Sequence, residues 1–399
     1  MAQTGAVIFL PREEGQTSRM LEELLFDPAA LWLAQALEDA GTDRFFVVCH
    51  GEDQAKAEPC FPEGTRFVTN GSADAVEQLT GFLQELEGKA VVITRPVLLS
   101  WEGARQLTEG GDAGLAGSQD CGIYRAEAAA LAQALSEGAG LEEALHEKAD
   151  RIGGRSSWEQ SFSPFRGGPQ GRMEAEQTVR QFGAQRLMEQ GVRLMDAATC
   201  YAGPRVKAGA GTVLLPGVIL RGECFLGKDC EIGPHTMIRD CIIGDHVTVN
   251  QSQLNESTVE AGAKIGPFAY IRPDCHVGAG VKVGDFVELK NSVIGAETKI
   301  SHLTYVGDSD VGQKVNFGCG TVTVNYDGAT KFRTTIGDNA FIGCNTNLVA
   351  PVKVGDGAYT AAGSTITDEV PADSLAIARS MQIVKKQWAA KRRRGKRLK

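Results

Sequence analysis

From about residue 205 onward an aliphatic side chain recurs at every sixth position. Leu226, Ile232 and Ile238 open the series. Ile265, Ile271, Val277, Val283 and Leu289 continue it after slips of one residue, then Ile294, Ile300 and Val306, then Val311 and Phe317. Ile336, Ile342, Leu348 and Val354 complete it. A glycine follows many of these residues, among them Gly227, Gly278, Gly295, Gly318 and Gly337. A period of six fits neither the turn of a helix nor the two-residue alternation of a flat sheet. It predicts a coil of short parallel strands, with the aliphatic residue facing the coil axis and the glycine giving backbone freedom at a tight corner without a Cβ clash. One coil buries its apolar residues only against its neighbours, so the array has to be long. A step of nineteen residues separates Phe317 from Ile336. The text between them, GCGTVTVNYDGATKFRTT, holds the turn signal NYDG followed by Lys331 and Arg333. It predicts a polar, basic loop thrown out of the solenoid, a place where function concentrates.

The first half reads differently. Residues 6–10, 45–49 and 89–99 are apolar runs that predict buried strands, with helical periodicity over 27–41 and near 101–107. Alternation of strand and helix implies an α/β sheet, mostly parallel. Residues 153–171 are rich in Gly, Ser, Pro and Arg and read as a linker, and 173–195 as an amphipathic helix leading into the solenoid. The expected division is an α/β domain over 1–152, linker and helix over 153–200, the solenoid over 201–372 and a C-terminal segment over 373–399.

Composition narrows the function classes. The 399 residues carry a formal charge of −9, yet Lys385 to Lys399 hold nine Lys or Arg and no acid, leaving a body of −18 (−9 minus 9). A body that acidic is a poor general nucleic-acid binder, so no nucleic-acid partner is expected; the tail, which alone could touch RNA, anionic lipid or a phosphorylated ligand, reads as mobile and solvated. No apolar stretch reaches the length of a membrane span, and the N-terminus lacks the basic region of a signal peptide. Ten cysteines without a CxxC pair predict free thiols in a reducing compartment, hence the cytoplasm.

The segments GVRLMDAATCY, IGPFAYIRPD, VGDFVELKNS, HLTYVGDSDVG, VNFGCGTVTVNYDGATKFRTTIGD and LVAPVKVGDGA, spread over roughly residues 173–390, resemble the bifunctional bacterial glucosamine-1-phosphate N-acetyltransferase/N-acetylglucosamine-1-phosphate uridyltransferase family. The resemblance implies a left-handed parallel β-helix that assembles as a homotrimer and moves acetyl from acetyl-CoA to the amine of glucosamine 1-phosphate. The product feeds UDP-N-acetylglucosamine and peptidoglycan. The first half resembles the family's Rossmann-like nucleotidyltransferase domain only weakly and is shorter. Where the family has a Gly-rich phosphate loop with a following Lys, this chain reads EGQTSRM. Gly15, Arg19 and Met20 remain, Thr17 replaces a glycine, and no lysine precedes Lys56. Where the family has a magnesium-holding Asp, this chain has Arg95. GSADAVEQL at 71–79 still resembles the uridine-contacting segment. The expectation is a uridyltransferase domain that has lost its activity, with magnesium needed only if that half were active.

By motif match, His302 is the base, a role an imidazole suits near neutral pH. Arg272, Lys290 and Lys331 would meet the sugar phosphate, and Tyr305 and Asn316 the sugar. Asn325 and Tyr326 match the acetyl position, with Asn325 able to accept from the amine or the imidazole. Cys319, Cys344, Ala362 and Arg379 match the path of acetyl-CoA, with a backbone amide near Cys344 facing the developing oxyanion. The family usually carries Ala and Ser at 319 and 344, so this chain places two thiols near a thioester, and acylation of a thiol is an alternative to direct transfer. His235, His246 and His276 read as corner histidines, and no zinc site is expected from their spacing. Rival readings are a fully bifunctional enzyme, a different amino-sugar phosphate as substrate, or a non-catalytic trimeric scaffold.

Overall fold

The computed structural model describes residues 4–13, 16–109, 122–152 and 161–396. Gly15, Cys121, the stretch 153–160 of the expected linker and the last three residues of the tail lie outside them. The chain divides into two compact units, Met1–Asn255 and Glu256–Lys399, and coils of the solenoid occur in both.

In the first unit a six-stranded sheet runs in the order Arg66–Thr69, Thr42–Cys49, Thr4–Phe9, Lys89–Ile93, Ile123–Glu127, Ala149–Ile152. The first four strands are parallel; Ile123–Glu127 runs antiparallel to them, and Ala149–Ile152 antiparallel to Ile123–Glu127 in turn. The runs AVIF, FFVVC and AVVI are apolar at consecutive positions because both faces are covered. Ala6, Ile8, Phe45 and Val47 pack on one side with the helices Ala29–Asp39 and Trp101–Glu109. Val7, Phe46, Val48 and Val92 pack on the other with Ala75–Gln84 and Ala128–Ser136.

Two expectations for this unit need correction. Residues 89–99 are not one strand: Lys89–Ile93 stays in the sheet, whereas Val97–Leu99 leaves it to pair antiparallel with Phe162–Pro164. Pro96 between them has no N–H to give a ladder. The helix spans Gly168–Glu189 rather than 173–195. Pro169 fits its first turn, where amides lack partners in any case. Gly191 in the left-handed region (φ 85°) ends it, and Arg193–Leu194 already pair with Val213–Leu214 of the first coils. Buried Arg186 ties this helix down: it stacks 4.5 Å over Trp101, donates to Val206 O at 3.0 Å and to Pro204 O, and pairs with Asp39.

The second unit is built of three-sided coils of a left-handed parallel β-helix. Its three ladders run from Lys264–Ile265, from Tyr270–Ile271 and from Thr258–Val259, each strand pairing in parallel with its equivalent one coil later. Every period-six residue from Ile265 to Val354 is buried. The nineteen-residue step contains a member that the aliphatic pattern misses. Thr323 is buried in the slot and pairs with Leu348, its hydroxyl satisfied by Gly307 N at 2.8 Å and Gly307 O at 3.1 Å. The insertion therefore lies between Thr323 and Ile336, and it leaves the coil as an outward hairpin closed by an antiparallel bridge between Tyr326 and Lys331.

Most of the glycines after the aliphatic positions, Gly266 (φ 96°) excepted, serve close approach rather than backbone freedom. A Cβ on Gly295 would stand 2.4 Å from Gly312 C, and one on Gly318 would stand 2.4 Å from Cys344 N, yet neither residue has positive φ. Left-handed corners fall instead on residues such as Phe286 (φ 55°), Leu303 (φ 44°) and Asn345 (φ 53°). In the first unit His235 and His246 are such corners. The tail contains a helix, Trp388–Lys396, with Arg392 5.2 Å over Trp388. Among the described residues no helix is long and apolar enough to cross a membrane.

Candidate functional site

His302 ends the strand Lys299–His302, whose register sets it beside Asp285 on the previous coil. Its Nδ1 lies 2.6 Å from Asp285 Oδ1. An ionised carboxylate only accepts, so Nδ1 carries the proton and Nε2 is left as an acceptor. The hydrogen bond from His302 holds the Asp285 carboxyl below its ordinary range, which keeps it ionised. His302 is exposed, as a base that meets an incoming substrate must be.

The same ladder carries the register onward. Lys299 pairs with Asn316 and Ile300 with Phe317, then Asn316 with Phe341 and Phe317 with Ile342, then Phe341 with Tyr359 and Ile342 with Thr360. Counted along the strands, Asp285, His302, Cys319, Cys344 and Ala362 occupy one position on five successive coils. The backbone follows at three of the four steps: Leu303 N donates to Asp285 O at 3.0 Å, Asn345 N to Cys319 O at 2.8 Å, and Gly363 N to Cys344 O at 2.8 Å, whereas Gly320 N, between His302 and Cys319, donates to Leu303 O at 3.1 Å. Arg379 lies past the last coil, its Cδ 3.7 Å from where a Cβ on Gly363 would stand.

A second cluster forms on the neighbouring ladder. Asp308 is buried and gathers three side chains. Asn291 Nδ2 donates to its Oδ1 at 2.6 Å, Lys290 Nζ lies 3.4 Å from its Oδ2, and Asn325 Nδ2 donates to the same oxygen. Asn325 Nδ2 also reaches Tyr305 OH at 3.5 Å. Burial works to raise the Asp308 pKa, but the amides of Asn291 and Asn325 and the Lys290 charge outweigh it, and it is lowered. Lys331, on the hairpin, lies beside Lys290, which pushes the Lys331 ammonium down, with Arg272 adding to the repulsion. Two crowded ammonium groups are a site in want of an anion. Arg272 sits one coil before Lys290, its amide bonded to Leu289 O at 2.9 Å and its Nη1 2.9 Å from Glu288 Oε1.

The structure thus brings Lys290, Tyr305, Asn325 and Lys331 together, sets Arg272 next to them, and strings His302, Cys319, Cys344 and Ala362 along one edge. It does not bring Asn316 or Tyr326 into either group by a side-chain contact. Asn316 begins its strand three positions before Cys319, and the Tyr326 hydroxyl donates to Gly328 O at 2.6 Å within its own hairpin. Sequence reasoning missed Asp285 and Asp308. The signal was there: they lie seventeen residues before His302 and eighteen after Lys290, one coil away in each case. His276 makes a bond of its own, Nε2 to Glu260 Oε1 at 2.9 Å, away from both clusters.

In the α/β sheet domain the described part of this loop, residues 16–20, is engaged by the protein itself. Arg12 clasps Asp53 with Nε to Oδ2 and Nη2 to Oδ1, both at 2.7 Å, and the buried Asp53 accepts from Ser18 N at 3.2 Å. Arg19 donates to Phe165 O at 3.1 Å and pairs with Glu13. A magnesium ion needs clustered oxygen ligands. Among the described residues no group of three or more His, Cys, Asp or Glu is arranged to hold a metal, and Arg95 stands where a ligand was sought. Arg95, itself a cation, cannot ligate one.

Residues 256–291 and 333–368 match the family described as Bacterial transferase hexapeptide (six repeats). The chain is 52% identical over 219 residues to a protein of Clostridium kluyveri named Bifunctional protein GlmU, covering 55% of this chain and 48% of that one. It is 48% identical over 215 residues to the protein of the same name in Exiguobacterium, covering 54% and 48%. The chain therefore spans about half the length of the curated relatives it matches. Among solved structures, a UDP-N-acetylglucosamine acyltransferase from Campylobacter jejuni is 20% identical with a TM-score of 0.26, covering 47% of this chain and 78% of that one.

Proposed function

We propose that the solenoid is an N-acetyltransferase that moves acetyl from acetyl-CoA to the amine of glucosamine 1-phosphate. The product, N-acetylglucosamine 1-phosphate, serves UDP-N-acetylglucosamine and peptidoglycan synthesis in the cytoplasm. The observation that carries this reading is the His302–Asp285 pair at 2.6 Å, set on the same edge as Cys319, Cys344 and Ala362.

Asp285 orients the ring so that Nε2 takes the proton from the sugar ammonium. The freed amine attacks the thioester carbonyl, the backbone near Cys344 faces the oxyanion, and collapse of the intermediate breaks the C–S bond and expels the CoA thiolate, which takes up the proton that the acylated nitrogen gives up. Arg272, Lys290 and Lys331 hold the phosphate, and their mutual repulsion is relieved when it binds. Asp308 positions Lys290 and Asn325, and Tyr305 contacts the sugar. Asn316, Tyr326 and Arg379 complete the sugar and CoA contacts in an assembly of three chains. Direct transfer is favoured over a thiol intermediate because His302 supplies the base at the site of attack.

We read the α/β domain as having no uridyltransferase activity. Asp53 already holds the Ser18 amide in the loop where a nucleotide phosphate would seek donors, and an internal carboxylate repels such a phosphate.

The test is a mass-spectrometric end-point assay of the full chain with acetyl-CoA and glucosamine 1-phosphate, with UTP and magnesium in half the tubes and a His302→Ala control. Product that depends on His302 and is not uridylated supports the reading. UDP-N-acetylglucosamine in the UTP tubes overturns the inactive α/β domain, and no product at all overturns the acetyltransferase.

A further inference from the structure

Nine cysteines fall among the described residues, and seven of them are buried. Burial raises the thiol pKa of Cys49, Cys224, Cys230 and Cys275, and takes Cys60 and Cys200 to about 11. These thiols stay protonated and shielded. Cys344 is exposed and Cys319 half-exposed.

The two accessible thiols are neighbours. Phe317 pairs with Ile342, so Cys319 stands opposite Cys344 on the next coil. Asn345 N donates to Cys319 O at 2.8 Å, and a Cβ on Gly318 would stand 2.7 Å from Cys344 Cα. Adjacent strands lie about 4.8 Å apart, inside the roughly 4.4–6.8 Å between Cα atoms that a disulfide spans. Side chains at this column position do meet across one coil: Asp285 and His302, related in the same way, touch at 2.6 Å.

We infer that Cys319 and Cys344 are a redox-modification site: a hydroperoxide joins them in a reversible disulfide that closes the edge along which the CoA arm lies. The closure rests on the acetyl-CoA reading above; the bridge does not. The Cys344 thiolate attacks the peroxide oxygen, the O–O bond breaks, and hydroxide leaves to become water, giving a sulfenic acid. The Cys319 thiolate displaces the second hydroxyl, forming the S–S bond and another water. Two thiols and one hydroperoxide become a disulfide and two hydroxylic products, and a dithiol reductant reverses the change. The linked residues draw the column together directly after His302.

Tryptic cleavage after Lys314, Lys331, Arg333 and Lys353 places the two cysteines on separate peptides, so the link is visible by mass. The full chain is treated with hydrogen peroxide and mapped, and its affinity for CoA is measured by calorimetry before treatment, after it, and after dithiothreitol. The expected result is a linked pair of peptides lighter by two hydrogen atoms and a CoA affinity at least tenfold weaker, both reversed by the reductant. Cys319→Ala and Cys344→Ser, each compared with itself untreated, should form no link and show no oxidant-dependent change. A link to another cysteine, or none, overturns the bridge. A bridge with unaltered CoA affinity overturns the closure. Absence of CoA binding in the reduced protein overturns the acetyl-CoA reading together with the closure, while the peptide map still decides the bridge.

Discussion

His302 donates from Nδ1 to Asp285 Oδ1 across 2.6 Å, from one coil to the one before it. The pair makes Asp285 a positioning residue for the base. His302→Ala should lower kcat about 10²–10⁴-fold, the usual worth of general base catalysis. Asp285→Asn should lower kcat less, with KM for both substrates unchanged, and Asp285→Glu should recover part of the loss. Steady-state kinetics on the three variants checks this, and a rise in KM alone would move Asp285 from orienting the base to binding substrate.

Lys290 and Lys331 crowd each other beside Asp308. Each should cost affinity for the sugar phosphate when removed. Lys290→Ala is expected to raise KM for glucosamine 1-phosphate about tenfold or more, as loss of a charge-assisted contact does. KM for acetyl-CoA should not change. Lys331→Ala should act in the same direction, with its effect shrinking as salt is added, since Lys331 is exposed and its field is screened.

Asp308 contributes stability with a definite sign. Its folded pKa is lowered, so the folded state releases the proton more readily than the unfolded chain. The contribution is present above the unfolded value of about 3.9 and is lost as pH falls through the lower folded value. Asp308→Asn should flatten the acid side of the melting-temperature profile below about pH 4. At neutral pH the variant should also lose turnover, because Asn325 and Lys290 lose their common anchor.

Asp27 has the opposite sign. It is buried, and desolvation raises its pKa despite the attraction of Arg205 and Arg221. Its Oδ2 has no hydrogen-bond partner. The folded state therefore holds this proton to a higher pH than the unfolded chain does. The contribution is present below the unfolded value and is lost as pH rises through the folded one. Asp27→Asn should raise the melting temperature at pH 7 by a few degrees and confer little at pH 4, read from a pH series of thermal melts.

Asp53 accepts from both Arg12 and Ser18 inside the sheet domain. Arg12→Ala leaves a buried carboxylate without its cation and should lower the melting temperature by several degrees. Acetyl transfer at a temperature where the variant is folded should be unchanged, since Arg12 belongs to neither candidate cluster.

The solenoid was legible from sequence because each coil repeats the same burial problem at a fixed interval, and so Ile265, Val283 and Ile300 mark it without any other information. His302, Lys290 and Asn325 were legible through motif resemblance, which preserves order along the chain. Asp285 and Asp308 were not, because their partners are one coil away, and a lone acidic residue carries no local mark. Thr323 hid a coil for a related reason: the slot demands a small buried group with its hydroxyl satisfied, and only the Gly307 backbone across the coil supplies the partners. Most of these glycines, Gly266 apart, were recognised as special but assigned the wrong cause. A pattern along one strand cannot reveal how closely the next strand approaches, and it is Cys344 N at 2.4 Å that excludes a side chain from Gly318.

What the sequence determined by itself was the period of the coil, the double-sided burial of the first sheet and the inventory of reactive groups. These depend on neighbours a few residues away. What only the tertiary structure decided was which groups meet: His302 with Asp285, Lys290 with Lys331, Cys319 opposite Cys344. Such pairs are separated along the chain by a full coil and set by strand register, and register follows from the packing of all the coils together.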